Sequence, residues 1–140
     1  MTRRSLLAAL ALFATAAHAQ TDAISAAFDA HNAEYGVEPV AGPFVGQFVE
    51  EGDGDDSTWE VNLEAGSYVL LLHAAPGSGL DPDAWIFDAN GGEVASGSDL
   101  GESEMIWFTA EAPGTYRVEL PVCCSGGAMP LGAAIYLDDE

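Results

Sequence analysis

The chain has 140 residues, 23 of them acidic and three basic, for a formal net charge of −20 at neutral pH. Every acid lies at or after Asp22 while two of the bases are Arg3 and Arg4, so beyond residue 19 there are 23 acids against Arg117 alone, a formal charge of −22 with no lysine. Such a surface cannot neutralise phosphate, which sets aside nucleic acid and anionic membranes as partners. It attracts divalent cations and cationic partners, or serves simply to keep the protein soluble.

In chain order, Arg3-Arg4 precede an apolar run from Leu6 to Ala17 and the small-x-small sequence Ala17-His18-Ala19. A basic start, a short apolar core and such a site together predict a secretory signal, residues 1–19, cleaved after Ala19. The run is shorter than the roughly 20 residues that a membrane-spanning helix needs. No cysteine adjoins the site, so no lipid anchor and no membrane insertion are expected, and the expected location is periplasmic or secreted. Thr2-Arg3-Arg4-Ser5-Leu6-Leu7 resembles a twin-arginine export signal, although any basic start would serve general export.

Residues 20–43 read as a short helix and a linker. Ile24, Phe28, His31 and Tyr35 fall on one helical face, predicting a helix from about Asp22 to Tyr35 that ends at Gly36. Pro39, Gly42 and Pro43 punctuate the linker.

From Phe44 the period changes to two. Trp59, Val61 and Leu63 alternate with polar residues, and Ser67 to His73 is a nearly continuous apolar run, as in a strand covered on both sides. Ala84 to Phe87, a return strand from Val94, Met105 to Thr109, Thr115 to Val122 and Leu131 to Leu137 follow. Asn90-Gly91 predicts a tight hairpin of the primed type. Seven to eight short strands with regular turn signals predict an all-β fold, an antiparallel sandwich or jelly-roll-like domain over residues 44–140.

Three stretches, with a fourth closing them, carry a family resemblance. WEVNLEAGSYVLLL (59–72) is strand, glycine turn and strand; DPDAWIFDANGGEVASGSD (81–99) is a hairpin bounded by aspartates; APGTYRVEL (112–120) is a Pro-Gly turn and strand; LGAAIYL (131–137) fits the last strand. In this order they resemble the bacterial pre-peptidase C-terminal domain, a β-sandwich that accompanies secreted proteases. The resemblance covers about residues 44–137 and implies a non-catalytic accessory module. It carries over no catalytic residues.

The acids gather in turns: Asp53, Asp55 and Asp56; Asp81 and Asp83; Asp99, Glu102 and Glu104. Calcium takes six to eight oxygens from flexible acidic loops, and some relatives of this fold bind it. Asp81, Asp83 and Asp99 are the candidate ligands. The turn DGDDSTWE lacks the sixth-position glycine of an EF-hand, and solvated acidic turns need no metal at all.

Cys123-Cys124 admits three readings. Adjacent Cα atoms lie about 3.8 Å apart, closer than an ordinary disulfide spans, so a vicinal bridge needs a strained turn, which Ser125-Gly126-Gly127 could supply. Two separate thiols, one pairing two chains, are the second reading. A copper(I) site with Met129, in a thiol-based redox or copper-handling protein, is the third.

His31 and His73 have no partner in sequence and read as packing or surface residues, and no nucleophile motif such as G-x-S-x-G occurs. Trp59, Trp85 and Trp107 read as core residues. The expected function is a non-catalytic exported binding module of the bacterial envelope, not an enzyme, with an unknown protein or glycan partner and possible calcium stabilisation.

Overall fold

Alternation along the chain builds two sheets. The computed structural model describes residues 3–48, 58–97, 100–120 and 129–139. They form helix α1 (Arg3–Tyr35) and strands β1 (Ala41–Phe48), β2 (Thr58–Leu63), β3 (Gly66–Ala74), β4 (Ala84–Phe87), β5 (Glu93–Gly97), β6 (Ser103–Ala110), β7 (Gly114–Glu119) and β8 (Met129–Leu137). One four-stranded sheet has the order β1-β8-β3-β6 and the other β2-β7-β4-β5, with every pairing antiparallel. The expected β-sandwich is the fold, with one helix at the N-terminal end.

Between the sheets lies one core. Val61 and Leu63 of β2 face Leu70 and Leu72 of β3, Ile86 of β4, Ile106 and Phe108 of β6, Tyr116 and Val118 of β7, and Ile135 of β8. Each fully buried aliphatic or aromatic side chain contributes about 1.5–3 kcal/mol relative to exposure. The predicted inward set Tyr116, Val118 and Leu120 is buried as expected.

A second apolar layer lies on the outer face of the first sheet. Ile24 and Phe28 of α1 pack on Leu71, Ala134 and Tyr136, which explains why Leu70, Leu71 and Leu72 are buried in succession: β3 is covered on both sides. The helix ends where Gly36 turns left-handed (φ 64°) and the Val37 N–H reaches back to the Asn32 carbonyl at 3.1 Å. Helix α1 extends N-terminally to Arg3, well beyond the stretch that its apolar face predicts. No described helix is long and apolar enough to cross a membrane.

Two local expectations change. The first strand opens at Ala41 and takes in Pro43, which sits where the β1–β8 register shifts. Proline is tolerated there because β1 is an edge strand and a bulge needs no ladder bond from it. The hairpin at Asn90-Gly91 has a three-residue loop. Gly91 donates to the Asp88 carbonyl at 3.0 Å with Gly91 at φ 79°, and Asp88 N–H bonds the Gly92 carbonyl at 2.9 Å. This is a turn closed by a left-handed glycine, the commonest alternative to the two-residue primed form.

Candidate functional site

Strand β6 is an edge strand whose side chains alternate without exception. Glu104, Ile106, Phe108 and Ala110 point into the sandwich, and Ser103, Met105, Trp107 and Thr109 point out. Helix α1 lies over β8, β1 and β3. It leaves Met105 39% and Trp107 61% exposed, side by side on the uncovered edge of the sheet. A cavity opens on each side of this pair.

Between α1 and β6 runs a groove of about 560 Å³, lined by Ala27, His31 and Tyr35 from the helix and by Leu71, His73 and Met105 from the sheet. The His73 ring meets Phe28 edge-on at 4.8 Å, and its Nε2 is buried without a hydrogen-bond partner. Burial, and then the proximity of His31, hold His73 below the ordinary histidine pKa. His31 lies 4.8 Å from Tyr35 and 5.1 Å from Tyr136, and the Tyr136 hydroxyl donates to Asn32 Oδ1 at 2.7 Å. Burial pushes the Tyr136 phenol up. Both histidines therefore work in the helix–sheet joint.

Beyond Trp107, toward β5, lies an open cavity of about 510 Å³ walled by Asp88, Glu93, Trp107, Phe108, Glu111 and Tyr116. Three acidic residues and Trp107 are among those that line it, and no basic residue does so among the described residues. Arg117 is engaged elsewhere: its Nε is 3.0 Å from Glu119 Oε1 and its guanidinium stacks 4.8 Å above the Phe87 ring. Asp88 shapes the rim, because its Oδ1 accepts the Asn90 and Gly92 amides at 2.9 Å each.

The predicted calcium ligands are placed only in part. Asp81 is exposed and its Oδ1 accepts the Gly101 amide at 3.2 Å. Asp83 has a buried Oδ1 with no hydrogen-bond partner, and its carboxyl is raised above the usual range, first by burial and then by Asp81. Asp99 lies outside the described residues, as do Asp53, Asp55 and Asp56. Glu102 is occupied, accepting the Gly77 amide at 2.7 Å and the Gly79 amide at 3.4 Å, and Glu104 faces the interior. The orphaned Asp83 oxygen suits a cation. Among the described residues, however, no three His, Cys, Asp or Glu side chains converge, so these alone do not make a calcium cage.

Cys123 and Cys124 also lie outside the described residues, and Met129 is described only through its backbone pairing with Phe48. Of the tryptophans, Trp59 packs against the core and meets Phe44 edge-on at 4.2 Å. Trp85 and Trp107 stand on outer faces, correcting the reading of all three as core residues. Their parity sets this, since each is flanked by inward-facing neighbours: Ala84 and Ile86, Ile106 and Phe108.

No protein-family model matches the chain, and no curated protein is similar to it in sequence. Among solved structures it is similar to the pre-peptidase C-terminal domain of a collagenase from Bacillus anthracis. That match has 16% identity over 67% of this chain and 87% of the domain, with a TM-score of 0.51. What the two share is the fold. A periplasmic inhibitor of g-type lysozyme from Aeromonas hydrophila aligns more loosely, with 13% identity over 74% of this chain and 90% of that one and a TM-score of 0.48.

Proposed function

We propose that the chain is an exported, non-catalytic binding module that engages a partner protein through the outward face of β6. The observation that carries this reading is Trp107, a large aromatic left 61% exposed beside Met105 on a rigid strand flanked by two cavities. Exposed aromatic and methionine side chains on a fixed scaffold are what protein interfaces use as anchors. The export features of residues 1–19 and the likeness of fold to the pre-peptidase C-terminal domain of a collagenase support the same role. Loss of those residues would leave the helix seat intact, because Ile24, Phe28, His31 and Asn32 all lie beyond Ala19. Calcium at the Asp81–Asp83 turn is proposed as an accessory stabiliser, supported by the orphaned Asp83 oxygen. The thiol-based alternative has no support among the described residues.

The test is affinity capture from a bacterial envelope extract, followed by direct binding of the captured protein after its purification. Capture and binding are expected to be lost in the Met105→Ser/Trp107→Ser variant and kept in Trp85→Ser, which changes the opposite sheet. Binding indifferent to the β6 face overturns the reading.

A further inference from the structure

We infer that the cavity between Trp107 and the β4–β5 hairpin receives a lysine or arginine side chain, so that the partner presented to β6 is a basic protein. This rests on the β6 face being the binding face. Trp107, Asp88, Glu93 and Glu111 are among the residues that line the cavity. Glu93 and Glu111 are exposed, and among the described residues no hydrogen bond or ion pair engages either side chain. The one arginine beyond Arg4 is held by Glu119 and Phe87, so the chain offers this cavity no cation of its own. A cation over an indole face gains from the ring quadrupole, and carboxylates around it add direct pairing. A formal charge of −22 beyond residue 19 steers a basic partner toward the surface from a distance, and the cavity supplies the local complement. A neutral glycan could stack on Trp107 but would leave the Glu93 and Glu111 carboxylates unmatched, and an acidic partner would be repelled by them.

The difficulty is to separate a site from the diffuse pull of so acidic a chain, and charge-matched variants do this. The chain purified from the envelope of an expressing bacterium is titrated with fluorescent octalysine, read by anisotropy at physiological salt. Glu93→Gln/Glu111→Gln removes two charges at the cavity, and Glu60→Gln/Glu64→Gln removes two exposed charges on and just after β2. The first pair is expected to weaken binding about tenfold and the second less than about twofold. Trp107→Ala is expected to weaken it about fivefold, with Trp107→Phe recovering part of the loss because an aromatic face remains. All these side chains are exposed, and unchanged circular dichroism and melting temperature confirm that each variant is folded. Equal losses from the two charge pairs, or binding indifferent to Trp107→Ala, overturn the inference. If octalysine ignores the cavity while a captured partner still depends on Met105 and Trp107, the cationic inference fails and the binding-face reading stands. If the face variant also leaves partner capture unchanged, both fail.

Discussion

Gly132 of β8 lies directly under Phe28 of α1: a Cβ on the glycine would meet Phe28 Cε2 at 2.7 Å and would press on Ile24 as well. The helix approaches the sheet this closely because the residue at that point has no side chain. Helix seat and sandwich core are separate clusters, so they should respond separately to mutation.

Gly132→Val therefore lifts the helix without unfolding the sandwich. Overpacking of this kind costs about 1–3 kcal/mol. Hydrogen exchange should show loss of protection over residues 22–35, with protection in β2, β4 and β7 retained. A variant that exchanges like the parent would show that the helix does not depend on this contact.

The same joint is sensitive to acid. His73 is held below its ordinary pKa by burial and by His31, so the folded state favours the neutral ring. For a depressed histidine the stabilising contribution is fully present above the unfolded pKa of about 6.5 and is lost as pH falls from there through the folded value. Phe28 packs edge-on against His73, and the other titratable residues lining the groove are His31, Glu34 and Tyr35 on α1 and Glu104 on β6. Denaturant midpoints should fall between pH 7.5 and pH 5 more steeply in the parent than in His73→Gln. Parallel slopes would remove His73 as the acid-sensitive group.

Much of this is legible in the chain, and the exceptions have physical causes. Thr58 to Glu64 alternates polar and apolar residues, so only one face of β2 could turn inward. Met105-Ile106-Trp107-Phe108 is apolar at both parities, so periodicity is silent on which pair faces out. The register of β6 in the sandwich turns Ile106 and Phe108 inward, and α1, seated over β8, β1 and β3, leaves the outward pair uncovered. Proline at position 43 looks like a linker residue until β1 is known to be an edge. Glu102 has the look of a metal ligand in its acidic turn. Its partners Gly77 and Gly79 lie more than 20 residues away, so its real task bracing that loop is invisible locally. The candidate binding face escapes sequence reasoning for the same reason as Trp107, since exposure is a property of the assembled layers.

Asp83 should respond to pH in the opposite sense to His73. Its folded pKa is raised, so its contribution favours the fold below the unfolded pKa and is lost as pH rises through the folded value. Asp83→Asn is accordingly more stable than the parent at pH 7, with the advantage vanishing in acid. If calcium occupies the turn, it relieves the same repulsion between Asp81 and Asp83. The ion should then raise the parent's melting temperature, selectively over magnesium at equal ionic strength, and leave Asp83→Asn unmoved. Equal small rises with both ions would mean screening alone.

Asp88 ties fold to site. Its Oδ1 accepts two backbone amides of the hairpin loop, and the same carboxylate stands at the rim of the Trp107 cavity. Asp88→Ala leaves the Asn90 and Gly92 amides without this acceptor, a loss of about 1–2 kcal/mol because the bonds are charge-assisted and largely solvent-exposed. Asp88→Asn keeps a carbonyl oxygen in the same place and should recover most of that stability while removing the charge. The two variants thus separate shape from charge. If the carboxylate acts only by holding the loop, Asp88→Asn binds octalysine like the parent and Asp88→Ala binds it worse. If it also contributes charge to the cavity, both bind more weakly and only Asp88→Ala melts earlier. Chemical denaturation and the anisotropy titration, run on the pair together, decide which.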